Sequence, residues 1–137
     1  MEDALGALYK TLRATLTATT EVWGTRAYAK LAPAGAAFPY VVFDYAAGGE
    51  LNQSVAPDAE FVIFVKGLAK EDAATAYAMA ARFEALFNDK DGGALSAGTD
   101  WTIISITQEQ RIDLLEQVDG AQIFHAGHRY RVRMESN

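Results

Sequence analysis

Two histidines, His125 and His128, are the pair best suited by type to metal or proton-transfer chemistry, and their spacing argues against a shared site. They stand three positions apart in a segment with strand character, where side chains three apart point to opposite faces. The nearest carboxylates in sequence, Asp113, Glu116 and Asp119, lie in the preceding polar stretch. Asp89 and Asp91 begin like a calcium loop, but an EF-hand counted from Asp89 needs glycine at its sixth position and glutamate at its last. Ala94 and Asp100 stand there. Around Ser96, the run Gly93-Ala94-Leu95-Ser96-Ala97-Gly98 sets its first glycine one residue too far away for a nucleophile elbow. There is no phosphate-binding glycine loop of either common kind. The chain has no cysteine, which removes thiolate nucleophiles, disulfides and cysteine-based zinc sites. The histidines therefore read as surface or interface residues. The expectation is a chain that is not an enzyme, with no catalytic, cofactor-binding or metal-binding residues and no cofactor.

The charge pattern that stands out is Arg129, Arg131 and Arg133, alternating near the C-terminus. It reads either as the solvated outer face of a terminal strand or as a basic stripe that meets an acidic surface on a neighbouring subunit. Nucleic-acid binding ranks third, because three arginines in a chain of net charge −6 release few counterions. Half of the 137 residues are apolar and 22% are charged, enough for a single domain with a real core. The start, Met1-Glu2-Asp3, is acidic and leads into an amphipathic segment, unlike a secretory signal. No run reaches the length of a membrane span, so synthesis in the cytoplasm and no membrane partner are expected.

The elements that must position these residues follow from periodicity. Residues 3–19 read as a helix, with Leu5, Leu8, Leu12 and Leu16 on one stripe. A short extended piece from Arg26 to Leu31 precedes a loop bracketed by Pro33 and Pro39. Tyr40 to Ala46 reads as a strand that Gly48-Gly49 breaks, and Gly48 to Asp58 as an exposed hairpin loop. Phe61-Val62-Ile63-Phe64-Val65 is apolar on both pleat faces, and Gly67 is expected to close it. Residues 71–87 form the second helix, with Glu71 and Asp72 in its first turn. Trp101 to Gln108 alternates, with Ile104 and Ile106 on one face and Ile103 on the other. Arg111 to Gly120 reads as an ordered arm. In the last strand Tyr130, Val132 and Met134 share one face and the arginines take the other. The expected fold class is α+β: a small, mostly antiparallel sheet of about four to five strands, packed on one face by two helices. The free face, together with the two-faced strand at 61–65, points to a subunit partner.

Taken in order, these segments resemble the tail terminator, or tail-completion, family of long-tailed phages and prophages. The resemblance rests on Leu5-Gly6-Ala7-Leu8-Tyr9 with Val22-Trp23-Gly24-Thr25-Arg26, on the turn from Ala32-Pro33-Ala34-Gly35 through Phe38-Pro39-Tyr40-Val41-Val42-Phe43, on the strand 61–66 before an alanine-rich helix, and on the closing strand 124–134 with its arginines. The stretch 88–98 has no counterpart in that pattern. The resemblance implies a virion protein at the head-proximal end of the tail. It would form a homo-oligomeric ring, a hexamer, on the tail tube, end tube polymerisation and present the docking surface for head–tail connector proteins. DNA would pass the lumen without specific binding. Candidate contacts with subunits or partners are Arg129, Arg131 and Arg133, then Glu50, Asn52 and Gln53 in the first hairpin, and Arg111, Asp113 and Glu116 in the arm. Two other readings stay open: another neck, joining or tube protein of the virion, and a small-molecule-binding or enzymatic domain with a pocket of His125, Tyr130 and a carboxylate.

Overall fold

The alternation at the C-terminus builds the strand around which the sheet is laid. A computed structural model describes residues 3–17, 21–51, 58–88, 96–97 and 100–137. Its strands are β1 (Ala27–Ala29), β2 (Tyr40–Leu51), β3 (Asp58–Lys70), β4 (Ser96–Ala97), β5 (Trp101–Val118) and β6 (Ala121–Ser136), with helices α1 (Ala4–Thr17) and α2 (Ala73–Phe87). They form one sheet in the order β1-β2-β3-β6-β5-β4. Only β1 and β2 run parallel; every other neighbouring pair is antiparallel. The α+β class and the mostly antiparallel sheet match the sequence reading, with the two-residue β4 as an extra member.

Both helices lie on one face. Leu8, Leu12 and Leu16 of α1 and Met79, Phe83 and Phe87 of α2 are buried in one cluster. With them are Phe61, Ile63 and Val65 of β3 and Tyr130, Val132 and Met134 of β6. Each such side chain contributes roughly 1.5–3 kcal/mol on leaving water. The end of α1 is fastened by Trp23, whose indole N–H donates to the Leu16 carbonyl at 2.8 Å. Asp72 is the N-cap of α2 and accepts from the Thr75 N–H at 3.0 Å. Glu71 is not in the first turn as expected: it precedes the helix with φ 57°, and its carboxylate accepts from the Gln122 N–H at 2.7 Å. That bond ties the β3–α2 corner to the β5–β6 hairpin.

Three boundaries differ from the sequence reading, each for a visible reason. Gly48-Gly49 does not break β2. A bulge between Tyr45 and Ala47 turns the strand, and Gly48, at φ +111°, leaves room for the β3 backbone where a Cβ would meet Glu60 O at 2.0 Å. Gly67 does not end β3, because its missing Cβ makes the seat for Met79 of α2. Nor does β5 stop at Gln108: it runs to Val118, so the expected arm 111–120 is the far half of an edge strand paired with β6. A bulge between Ile103 and Ser105 also shifts its phase. Ile103 and Ile106 are therefore both buried, and Ile104 is exposed, the reverse of the expected grouping. Asn52 and Gln53, and Asp89 and Asp91, lie outside the described residues.

Two glycines give opposite predictions. A Cβ on Gly127 would meet the Val65 carbonyl oxygen at 1.9 Å, so Gly127→Ala is expected to cost about 2–3 kcal/mol in urea unfolding. Gly6 lies within α1 with only Asp3 nearby, so Gly6→Ala should add about 0.5–1 kcal/mol.

Candidate assembly surface

Among the described residues, the face opposite the helices is covered at one end. There Val42, Leu68 and Ile123 are buried, with Ala32, Tyr40 and Phe64 packed against them. Tyr40 also makes ring contacts with Tyr28 at 5.9 Å and Phe38 at 5.0 Å. The rest of this face is strand surface, crossed by charged side chains from β3, β6 and β5.

The arginine stripe does lie here, and much of it is neutralised within the chain. Arg131 sits between two carboxylates, bonding Glu60 on β3 and, at 3.0 Å, Glu109 on β5. Arg133 reaches Asp58 on β3 at 3.4 Å. These pairs are solvent-exposed, so they set side-chain geometry more than stability. Arg129 makes no ion pair among the described residues. It borders an open groove of about 580 Å³ whose lining includes Phe64 and Lys66 of β3 and Gln110, Ile112 and Leu114 of β5. Lys66 was not singled out from the sequence, although a lone lysine in the otherwise apolar run from Phe61 to Leu68 was the available signal. Its ammonium lies 5.5 Å from the Phe64 ring centre, and burial pushes its pKa down.

The other sequence-derived candidates are scattered. Arg111 stacks over Tyr77 of α2 at 5.4 Å, and Asp113 accepts from the Tyr77 hydroxyl at 3.4 Å, and both residues also contribute to the lining of the groove beside Arg129. Glu116 is on the free face, where His125 Nε2–H donates to it at 3.1 Å. Glu50 pairs with Ala59 in the β2–β3 ladder. His128 is buried on the helix side, its Nε2–H donating to the Ala80 carbonyl at 3.1 Å. The two histidines therefore do face apart. Tyr130 is also buried beneath α2, against Phe87, so a pocket of His125, Tyr130 and a carboxylate is not formed.

At the β2 edge, Asp44 accepts from the Tyr9 hydroxyl, from the Tyr45 N–H at 2.7 Å and from Lys30 Nζ at 3.3 Å. Partial burial opposes ionisation, but these donors outweigh it and hold the carboxylate below its usual range. Tyr9 is pushed up to about 12, chiefly by burial and then by Asp44.

Burial also holds His125 and His128 below their ordinary value of 6.5. Below neutrality the unfolded chain then binds more protons than the folded one, so stability is full above 6.5 and is lost as pH falls through it. Urea unfolding at pH 7.5, 6.5 and 5.5 should show this decline, and His128→Phe should flatten it while lowering stability at every pH.

No family model matches the chain, and no curated protein matches it. Among solved structures, a chain from the virion of a native gene transfer agent particle is similar over almost its whole length. The match covers 98% of this chain and 99% of that one, with a TM-score of 0.76 and 18% identity. At that identity the two chains are alike in fold.

Proposed function

We propose that this chain is a non-enzymatic virion assembly protein, a tail terminator whose copies form a ring on the tail tube, end tube growth and present the surface on which the head docks. The observation that carries the reading is the end-to-end likeness in fold to a virion chain, with neither chain leaving an unmatched domain. The order of segments noted in the sequence points the same way.

The layout of the sheet is compatible with a ring. A head-to-tail ring needs two different surfaces on each subunit. β1 covers β2 only at Val41–Phe43, and β4 covers β5 only at Trp101 and Thr102. The outer edges of β2 from Asp44 to Leu51 and of β5 from Ile103 to Val118 thus have no strand partner among the described residues. Successive strands from β2 to β5 are antiparallel, so β2 and β5 point in opposite directions. Copies related by rotation would bring β5 of one beside β2 of the next as a further antiparallel pair. Under this reading the segment 52–57 between β2 and β3, which includes Asn52 and Gln53, and the turn end of the β5–β6 hairpin, near Glu116, supply contacts at the rims of the ring.

The reading is tested by adding purified protein to growing tail tubes and measuring tube length by electron microscopy. A terminator arrests growth and leaves a ring at the tube end. Tubes of undiminished length with bare ends would exclude the cap, and open-ended polymers of this chain alone would make it a tube protein. Replacing residues 52–57 by a two-residue turn should keep the ring and abolish head joining; normal particle yield would refute a role for that hairpin.

A further inference from the structure

The outer edge of β2 is guarded at the point where β1 leaves it. Residues of an antiparallel strand alternate in the side to which they turn their N–H and C=O. Val41 and Phe43 turn theirs toward β1. The Val41 N–H donates to the Arg26 carbonyl at 2.8 Å, and the Phe43 carbonyl accepts from the Lys30 N–H at 2.9 Å. Tyr45 comes next on that edge, beyond the end of β1. Its N–H is already taken, donating to Asp44 Oδ1 at 2.7 Å and to the Tyr9 hydroxyl oxygen at 2.9 Å. Tyr9, from α1, in turn donates to Asp44. Lys30 closes the group with its ammonium 3.3 Å from Asp44 and its backbone at φ 67°, a left-handed conformation uncommon outside glycine. The bulge between Tyr45 and Ala47 follows at once. An exposed lysine and a bulge are both means by which edge strands are kept from pairing, and here they coincide with a capped N–H.

We propose that Tyr9, Asp44 and Lys30 form a stop on the β2 edge, which confines a strand from the next copy to residues 47–51 and so sets the register in which copies join. This inference rests on the ring reading and names the residues that determine its subunit contact. β5 does not set that register alone, because its outer edge is without a strand partner from 103 to 118 among the described residues, a longer edge than β2 offers. A long edge against a short one slides unless one end is fixed. Tyr45 supplies the fixed end. A strand that reached it would have to draw its N–H away from two oxygens and leave the half-buried Asp44 carboxylate one donor short.

The chain has no cysteine, so the register can be read from engineered disulfides. Copies carrying A47C and a second cysteine at one exposed position between 104 and 113 are assembled on tail tubes and oxidised in air. Links between copies are then read on a denaturing gel. Cysteines whose Cα atoms stand more than about 7 Å apart do not bridge, so a single register gives links at one position and none at its neighbours. With Y9F/D44A added, and folding checked by circular dichroism, the links should spread over two or more positions. Links confined to the original position in folded Y9F/D44A would overturn the stop. Residue-resolved amide exchange of the unassembled wild type decides the matter even where that variant does not fold. The Tyr45 N–H should be protected there, and exchange at the rate of a free edge amide would also overturn the stop. Absence of links at every position without Y9F/D44A, on tubes or off them, would instead overturn the ring reading itself.

Discussion

The structure depends on β6 being paired along nearly its whole length on both sides. β3 matches it from Asp58 opposite Glu135 to Lys70 opposite Ile123, and β5 matches it from Trp101 opposite Ser136 to Val118 opposite Ala121. Two long ladders on one strand fix which way every β6 side chain points, because a one-residue slip would exchange the faces. His128, Tyr130, Val132 and Met134 must then face the helices, while His125, Arg129, Arg131 and Arg133 must stand on the far side. Gly127 is what lets the middle of this arrangement close, since the β3 backbone occupies the place of its Cβ.

From that constraint the division of labour follows. The helix side takes almost all the large apolar side chains, and α2 comes close to the sheet through Ala76, Ala80 and the seat made by Gly67. The other side keeps a patchwork: an aromatic end around Tyr40, a middle with Lys66 and Arg129, and a far end of internal ion pairs. Long edge strands invite pairing, and here bulges interrupt both β2 and β5. Such interruptions limit which strand can add to the edge and in what register.

Much of this was legible in the sequence. Period-two alternation identified β6 and the split of its faces, helical spacing identified α1 and α2, and the doubly apolar run 61–65 identified β3 as a central strand. The errors came at glycines and at bulges. Gly48 and Gly67 read as punctuation, yet each is a place where another part of the chain comes too close for a side chain, a tertiary fact that a linear pattern does not carry. The bulge at Ile103 likewise exchanges faces with no local marker. At the candidate surface, the arginines were found but their partners were not: Glu60, Glu109 and Asp58 are 22 to 75 positions away and meet them only through the ladders. Lys66 was passed over because one charge in an apolar strand resembles a solvated edge until the sheet order places it beside Arg129.

The proposed ring requires neighbouring copies to complete the open edges of β2 and β5 on the tube. Amide hydrogen exchange, measured by peptide mass before and after the protein is mixed with tail tubes, tests it most directly. If copies join in this way, exchange slows in both 44–51 and 103–118 on assembly, with the outer face of α2 unchanged. Assembly on tubes with unchanged exchange along both edges would contradict it.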